Sequence, residues 1–329
     1  MKKWKNYIKD LGKRNKILLI TAFLLVIFSL LTYSLATSSK EEISSEEEVR
    51  EEIEIYPLFT GHESSLPNID VAAAFSLYYS ESQGGVDLYS ENENNVLPIA
   101  SISKLMTAKV VFENYNLKDG IGVSESDIIT RTEFRDFRAW ESTTIEDMLY
   151  QMIIESNNSG AYAFALISDR YLKGSETPVE KFVKEMNSSA TEIGLTQTKF
   201  INPSGLDTRE DYNSSTAREV ALLSLSILKN HPQIFEISLI PSFNLYSLDK
   251  SIHYQAINTN VFLHIIEEEW QDKIVGGKTG FTRSANGCLV IILQSPERDG
   301  YIINVVLGSE DRFKEMKKLI NFIYTNYDF

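Results

Sequence analysis

The chain has 329 residues, of which 43% are hydrophobic and 24% are charged, a composition that allows a sizeable globular core. Its single cysteine, Cys288, excludes an internal disulfide framework and a cysteine-rich metal site. The four histidines lack metal-ligand spacing, which argues against a zinc enzyme, and the formal net charge of −14 argues against nucleic acid as a partner.

The N-terminal residues predict a membrane anchor. Residues 1–16 contain seven lysines or arginines and one acid, whereas residues 17–36 contain no charged residue. A helix of that length extends for about 30 Å, the thickness of a bilayer core. Because basic residues mark the cytoplasmic side of a span, we expect a cytoplasmic segment at 1–16, a single transmembrane helix at 17–36, and the rest of the chain outside the cell membrane.

A cleaved signal peptide is the alternative interpretation of the same residues. Ser34-Leu35-Ala36 resembles a small-residue cleavage site, although the apolar run is longer than the usual signal core of roughly 7 to 15 residues. Cleavage after Ala36 would give a secreted protein. Both interpretations export everything that follows.

An acidic linker and one folded domain are predicted beyond the anchor. The linker, residues 37–65, has eight glutamates between positions 37 and 55 and few apolar side chains to bury. We therefore expect a solvated stalk there, with a short helix as the alternative, and an extracytoplasmic domain over residues 66–329.

Strand patterns lie near both ends of this domain and helix patterns lie between them. We predict strands at residues 71–79, 86–90, 273–282, 288–294 and 302–307. Helices are predicted at residues 101–116, from 143 to the polar segment at 156, and at 160–171, 178–193, 215–229 and 311–324, with Thr143 and Glu146 in capping-box spacing. This order indicates an α+β fold, in which distant segments form an antiparallel sheet covered by helices.

Ser101 and Lys104 are a candidate nucleophile and base. They lie three residues apart at the start of a predicted helix, so both side chains share one face. Serine needs a base within hydrogen-bond reach, and a lysine can serve if burial and a second cation, here Lys278, lower its pKa. A helix cap beside a solvated lysine is the alternative, but apolar residues at 98–100 and 105–108 predict burial.

Ser156 and Asn158 lie in a polar break between two apolar helices. Serine, asparagine and glycine favour turns between helices, so an ordinary turn explains the segment. In the functional alternative, Ser156 passes a proton to a leaving amine and Asn158 binds a substrate amide. Position alone does not decide between these two interpretations.

A predicted strand contains the run Gly276-Gly277-Lys278-Thr279-Gly280. Glycine weakens a strand and often marks the close approach of a ligand. One interpretation is therefore an edge strand that pairs with an extended substrate, while Lys278 and Thr279 bind a carboxylate. The other interpretation is a strand bulge.

Together these motifs resemble the penicillin-binding proteins of the serine D-alanyl-D-alanine carboxypeptidase family. The resemblance extends to residues 97–108, 147–150, 202–207, 215–219, 277–282 and 288–290, and it covers roughly residues 71–324. It implies a β-lactamase/transpeptidase-like fold, with an antiparallel sheet flanked by helices and a helical subdomain.

The resemblance also implies the reaction. Ser101 would form an acyl-enzyme, Lys104 would accept its proton, and Ser156 would protonate the departing D-alanine. The substrate would be a peptidoglycan stem peptide ending in D-Ala-D-Ala, with no metal or cofactor required. β-Lactam antibiotics would acylate the same serine.

The implied substrate-binding set comprises Asn158, Lys278, Thr279, Gly280 and Phe281. The lysine and the threonine would hold the terminal carboxylate. The backbone N–H groups of Phe281 and of the nucleophile would form the oxyanion hole. No chemical role is implied for Asn157, the middle residue of the second motif.

Three alternatives to a carboxypeptidase are retained from the sequence. A class A type β-lactamase would need the acid of a Glu-x-x-Leu-Asn string, and no such string follows Ser156. A D,D-endopeptidase on the same fold would cut peptide cross-links. A non-catalytic wall-binding protein would not need Ser101, Lys104 and Lys278, all of which are present.

Overall fold

The computed structural model describes residues 58–61, 66–122, 143–246, 252–264, 267–296 and 300–329, together with Ser29. The chain divides into the units Met1–Ile55 and Tyr56–Phe329, and the elements below belong to the second unit. The predicted segment 1–16, the predicted anchor 17–36 apart from Ser29, and most of the predicted linker lie outside the described residues. None of the helices that the structure describes is both long enough and apolar enough to cross a membrane.

A five-stranded antiparallel sheet joins strands from both ends of the domain. The described strands are β1 (Leu58–Phe59), β2 (Ala73–Ser80), β3 (Gly84–Glu91), β4 (Leu97–Pro98), β5 (Gly120–Ile121), β6 (Thr143–Thr144), β7 (Ser214–Ser215), β8 (Ser242–Tyr246), β9 (Ile252–Ile257), β10 (Ile274–Thr282), β11 (Asn286–Gln294), β12 (Tyr301–Ser309) and β13 (Tyr327–Asp328). The order in the sheet is β10-β11-β12-β2-β3. The other strands pair two by two, β1 with β13, β4 with β7, β5 with β6 and β8 with β9.

The helices lie mainly between β3 and β10 in the chain. They are α1 (Lys104–Asn114), α2 (Ile145–Ile154), α3 (Asn158–Leu166), α4 (Pro178–Glu192), α5 (Ala217–Asn230), α6 (Gln233–Ser238) and α7 (Arg312–Asn326). Short 3-10 helices occupy Ala100–Ser103, Ser168–Arg170, Val261–Leu263 and Glu269–Lys273. The predicted α+β architecture, with an antiparallel sheet flanked by helices, is confirmed.

Side-chain alternation along β11 divides the core into two layers. Val290 and Ile292 contact the layer formed by α1 to α6, whereas Leu289, Ile291 and Leu293 pack against α7 on the opposite face. Successive side chains of a strand point to opposite faces, so a strand that is covered on both sides must be apolar throughout. This explains why β11 is an unbroken apolar run.

The structure corrects the start of two predicted helices. The segment predicted to be helical from Ser101 begins as a 3-10 turn, and α1 proper starts at Lys104. The cap of α2 is Thr144, whose hydroxyl accepts a hydrogen bond from Asp147 N at 3.1 Å. The predicted cap Thr143 instead donates to the carbonyl of Tyr246 at 3.0 Å. Helix α6 was not predicted, because its six residues are too few to show a helical periodicity. The β8–β9 hairpin was not predicted either.

The edge strand β10 meets the helical layer at the turn Ala100–Ser103. A Cβ atom added at Gly280 would lie 3.1 Å from both Ser101 N and the carbonyl oxygen of Ile99. The absence of a side chain therefore lets β10 run close beside the backbone of Ser101. This junction of sheet edge and helix start brings the three sequence motifs together.

Candidate active site

Ser101 lies in the 3-10 turn that leads into α1. Ala100 immediately before it has φ of +45°, a conformation that non-glycine residues rarely adopt. The turn directs the Ser101 side chain back toward the first residue of α1. Lys104 Nζ donates a hydrogen bond to Ser101 Oγ at 2.8 Å, so the predicted nucleophile and base are in contact.

Lys104 has no exposed surface. Its Nζ also donates to Asn158 Oδ1 at 2.8 Å and to the carbonyl oxygen of Ser204 at 2.5 Å. Burial lowers the pKa of Lys104 well below its ordinary value, and the charge of Lys278 lowers this pKa further. The effect of the second lysine was predicted from the sequence, but burial is the larger cause.

A turn at residues 202–205 supplies a contact to Lys104 that was not predicted. Asn202 Oδ1 accepts hydrogen bonds from Ser204 N at 3.1 Å and Gly205 N at 2.7 Å, which folds the turn so that the Ser204 carbonyl faces the lysine. Gly205 has φ of +82°, and a Cβ there would lie 2.0 Å from the carbonyl oxygen of Ala100. The turn therefore packs directly against the backbone before the nucleophile.

Ser156 is the single residue in left-handed conformation between α2 and α3, with φ of +64°. Its Oγ accepts a hydrogen bond from Lys278 Nζ at 2.9 Å. Asn158, the first residue of α3, accepts from Lys104 through Oδ1. The polar break is thus more than a turn, because each of its two candidate residues binds one of the buried lysines.

Asn157 caps α3, which the sequence did not indicate. Its Oδ1 accepts from Gly160 N at 2.8 Å, while its Nδ2 donates to Glu155 Oε1 at 2.7 Å. The residue therefore uses both ends of its side-chain amide within the loop. The only sequence signal for this cap is the general preference of asparagine for the N-cap position of a helix.

Lys278 is buried on β10 between Ser156 and the start of α7. Its Nζ donates to Ser156 Oγ and to the carbonyl oxygen of Thr279 at 3.0 Å. Burial lowers the pKa of Lys278 to about 7, and the charge of Arg312, the first residue of α7, contributes to the shift. Arg312 is a further charged residue of the site that had not been predicted.

The glycines of β10 have different explanations. A Cβ at Gly276 would lie 2.5 Å from the Phe235 side chain, and one at Gly277 would lie 2.6 Å from the carbonyl oxygen of Val290. The register of β10 against β11 also shifts between Ile274 and Gly276. Close packing and a bulge therefore explain these two glycines without a ligand. Gly280 alone faces the nucleophile.

Thr279 forms a hydroxyl pair with Thr259, another residue that was not predicted. The two Oγ1 atoms lie 2.5 Å apart, and Thr259 N donates to the carbonyl of Ile154 at 3.1 Å. The backbone of Thr259 thus binds the end of α2, while its side chain binds β10. Asn258 and Asn260 on either side are buried, so the segment is well packed.

Phe281 completes the predicted set and is 62% exposed at the end of β10. The eight predicted site residues therefore lie where α1, the α2–α3 loop and the edge strand β10 meet, with Phe281 next to Gly280 on β10. In the part of the chain that the structure describes, His, Cys, Asp and Glu side chains nowhere form a group of three that could hold a metal ion.

The arrangement can carry out acyl transfer. A hydroxyl in contact with a buried amine of lowered pKa can be deprotonated as it attacks a carbonyl. A second hydroxyl, on Ser156, lies beside a second amine and can move a proton to a leaving group. A buried cation and a hydroxyl on the edge strand can bind a carboxylate.

Comparisons with known proteins agree with this chemistry. A family model described as D-alanyl-D-alanine carboxypeptidase matches residues 62–311. The chain is 32% identical over 270 residues to a D-alanyl-D-alanine endopeptidase of Pseudomonas aeruginosa, covering 80% of this chain and 81% of that protein. It is 28% identical over 256 residues to the D-alanyl-D-alanine carboxypeptidase DacF of Bacillus subtilis, covering 75% of this chain and 61% of that protein.

Solved structures show the same fold. Penicillin-binding protein D2 from Listeria monocytogenes, in a cefotaxime-bound form, aligns with a TM-score of 0.62 and 27% identity over 79% of this chain and 100% of that one. A mutant of the Streptomyces K15 DD-transpeptidase aligns with a TM-score of 0.65 over 79% of this chain and 99% of that one, and its 24% identity supports the fold alone.

Proposed function

The chain belongs to the D-alanyl-D-alanine carboxypeptidase family of serine peptidases, and from that premise we propose that Ser101 removes the terminal D-alanine of peptidoglycan stem peptides through an acyl-enzyme. The family predicted from the sequence motifs is thereby confirmed. The observation that carries the proposal is the contact between Ser101 Oγ and a fully buried lysine whose pKa is lowered.

In the acylation step, Ser101 Oγ attacks the carbonyl carbon of the bond between the two D-alanines. The hydroxyl proton passes to the neutral amine of Lys104, and the backbone N–H groups of Ser101 and Phe281 stabilise the oxyanion. As the carbon–nitrogen bond breaks, Ser156 Oγ gives its own proton to the departing nitrogen and takes up the proton that Lys104 gained from Ser101. The amine of Lys104 is then neutral again.

In the deacylation step, water takes the place of D-alanine. Lys104 accepts a proton from the water as its oxygen attacks the ester carbonyl. The same proton returns to Ser101 Oγ when the ester bond breaks, which releases the shortened peptide as a carboxylic acid. The sum of both steps is the hydrolysis of one peptide bond, with the enzyme unchanged.

Substrate recognition rests on β10 and the start of α3. Lys278 and Thr279 hold the free carboxylate of the terminal D-alanine, because a buried cation beside a hydroxyl suits an anionic group. Asn158 Oδ1 is held by Lys104, so its Nδ2 is directed to a substrate amide oxygen. Because the site requires this free carboxylate, it removes the last residue of the peptide, which is the action of a carboxypeptidase.

The acyl-enzyme is tested with labelled penicillin. Full-length protein in detergent is incubated with the reagent, digested and examined by mass spectrometry. We expect the label on the peptide that contains Ser101, its loss in Ser101→Ala, and its retention in Ser226→Ala, which has the same serine-to-lysine spacing. The cefotaxime-bound relative supports this expectation. An unlabelled protein, or a label that persists in Ser101→Ala, would refute the mechanism.

Endopeptidase activity is the second candidate, because the Pseudomonas aeruginosa relative is named an endopeptidase. Two muropeptides separate the candidates. A carboxypeptidase shortens a monomer that ends in D-Ala-D-Ala by one alanine, whereas an endopeptidase converts a cross-linked dimer into two monomers. We expect the first reaction to be the faster one, and a faster second reaction would replace the carboxypeptidase assignment.

For the cellular location we propose a single-pass cell-membrane protein with an extracytoplasmic catalytic domain. The support is the basic segment 1–16 followed by the uncharged segment 17–36. N-terminal sequencing of the protein from membrane and medium fractions tests it. A mature protein that begins at Thr37 would show instead that the segment is a signal peptide and that the enzyme is secreted.

A further inference from the structure

The residues on either side of Ser156 form a hydrogen-bonded bridge across it. Asn157 Nδ2 donates to Glu155 Oε1 at 2.7 Å, and Asn157 Oδ1 accepts from Gly160 N at 2.8 Å. Gln151 Nε2, one turn earlier on α2, donates to the same Glu155 oxygen at 2.9 Å. The bridge therefore joins the last turn of α2 to the first turn of α3.

Ser156 lies at the centre of this bridge in a conformation that it would not adopt by itself. Its φ of +64° places it in the left-handed region, which residues other than glycine disfavour. Such a residue persists only where its surroundings hold it there. The Glu155–Asn157 contact closes the loop around Ser156 and so opposes relaxation of this backbone angle.

The same bridge bears on the contacts of both buried lysines. Lys278 donates to Ser156, and Lys104 donates to Asn158, so the residues before and after Asn157 each hold one amine. A shift of the loop would move Ser156 away from Lys278, while Lys278 stays held on β10 through its hydrogen bond to the carbonyl of Thr279. Burial raises the pKa of Glu155, and the hydrogen bonds that it accepts from Asn157 and Gln151 oppose this shift.

We propose that Glu155 and Asn157 are positioning residues that hold Ser156 at the proton-transfer position of the acyl-transfer site. The inference rests on the proposed function and extends it to two residues to which the sequence motifs gave no role. Neither residue touches the reacting atoms, so both act through Ser156. Loss of the bridge should therefore slow the chemical step and leave substrate binding by β10 unchanged.

Two variants break the bridge from opposite ends. Asn157→Asp keeps an oxygen for the cap on Gly160 but removes the amide donor to Glu155 and places two carboxylates in contact. Glu155→Met removes the acceptor and leaves the cap intact. For a peptide ending in D-Ala-D-Ala, we expect kcat to fall on the order of 10- to 100-fold in each variant, with KM changed by less than about twofold.

A polarity swap supplies the rescue. In the double variant Glu155→Gln/Asn157→Asp, the introduced glutamine donates to the introduced aspartate, so the bridge is rebuilt with the same net charge. We expect kcat of the double variant to recover to within about fivefold of the wild type, a coupling that independent sites would not show. Asn230→Asp is the matched control, since it also removes one amide donor, to the carbonyl of Ser226, outside the site.

Thermal melting of every variant separates positioning from folding. The inference is overturned if Asn157→Asp and Glu155→Met retain kcat within about twofold, or if the folded double variant stays as slow as the single ones. Ser156→Ala separates the role of Ser156 from that of the bridge. Full activity of Ser156→Ala would refute the proposed role of Ser156 itself, whereas an inactive Ser156→Ala beside fully active bridge variants would refute the bridge alone.

Discussion

The side-chain nitrogen of Lys104 lies 2.8 Å from the hydroxyl oxygen of Ser101, in a position with no exposed surface. Burial, and then the charge of Lys278, lower the pKa of Lys104 well below that of a solvated lysine. A lysine in this state can be neutral at ordinary pH and accept a proton. The depth of the site is therefore part of its chemistry.

Replacing Lys104 by arginine should remove the proton acceptor while keeping a cation. A guanidinium group keeps its proton at any accessible pH. We expect the rate of penicillin acylation of Lys104→Arg to fall on the order of 100- to 10,000-fold, the usual contribution of a general base. The time course of adduct formation, followed by mass spectrometry, measures this rate.

The pH dependence of the same reaction supplies the control. Since the proposed mechanism needs the neutral form of Lys104, acylation of the wild type should begin to rise with pH well below the ordinary lysine pKa. Lys118→Arg, at an exposed position beyond the same helix, should retain this profile. A rate of Lys104→Arg equal to that of Lys118→Arg would show that the acceptor lies elsewhere.

Lys278 should produce the opposite limb of the profile. In the proposed mechanism its protonated form binds the substrate carboxylate, and its pKa is lowered to about 7 in the free protein. The value of kcat/KM for a peptide with a free C-terminus should therefore fall as pH rises through about 7. A bound carboxylate favours the charged lysine, so kcat should fall only at higher pH.

Arg312 allows this assignment to be checked, since its charge contributes to the lowered pKa of Lys278. In Arg312→Gln, the alkaline limb of kcat/KM should move to higher pH. Arg170→Gln, at an exposed position away from the site, should leave the limb in place. If both variants titrate like the wild type, the limb belongs to another group.

Local sequence patterns predicted the elements that depend on local physics. The strands β10 to β12 followed from their β-branched, apolar composition, and the helices followed from apolar residues at helical spacing. The cap of α2 was placed one residue early, because Thr143 and Thr144 are both suitable caps. Thr143 donates to the carbonyl of Tyr246, about a hundred residues away in the chain, and Thr144 caps the helix instead.

Contacts between distant segments were beyond such patterns. The Ser204 carbonyl reaches Lys104 from 100 residues away, and Thr259 reaches Thr279 from another loop. Neither serine nor threonine in a polar loop has a periodicity or a motif that predicts its partner. The packing reason for Gly276 was also beyond such patterns, since the Phe235 side chain that excludes a Cβ there belongs to the unpredicted helix α6.

Thr259 should direct the hydroxyl of Thr279 toward the substrate carboxylate. The two oxygens are 2.5 Å apart, so one hydroxyl donates to the other and its orientation fixes where the second proton points. Thr259→Val keeps the shape and removes this hydroxyl. We expect kcat/KM for a D-Ala-D-Ala peptide to fall on the order of 2- to 12-fold, as for one lost hydrogen bond between uncharged groups.

Two control variants and a second peptide show whether the effect depends on the substrate carboxylate. Thr259→Ser restores a hydroxyl and should recover most of the activity, while Thr191→Val removes an exposed hydroxyl from α4 and should have no effect. A peptide whose C-terminus is amidated lacks the charged group, so its slow cleavage should be equal in wild type and Thr259→Val. An equal loss for both peptides would assign Thr259 to folding of the loop instead.

Gly205 and Gly194 form a natural pair for testing how the 202–205 turn supports the nucleophile. Both have φ of +82°, but a Cβ at Gly194 meets no atom within 4 Å, whereas one at Gly205 would lie 2.0 Å from the carbonyl oxygen of Ala100 and 2.9 Å from Ser101 N. Gly194→Ala should cost about 1 kcal/mol, from the backbone angle alone.

Gly205→Ala should cost about 3 kcal/mol or more, because the backbone of Ala100 has to move as well. Urea unfolding measures both differences in the free energy of unfolding. Since the displaced backbone carries Ser101, the folded fraction of Gly205→Ala should also react with penicillin at least about tenfold more slowly than Gly194→Ala. Equal destabilisation by the two substitutions, with equal acylation rates, would mean that the 202–205 turn accommodates the new Cβ without displacing the backbone of Ser101.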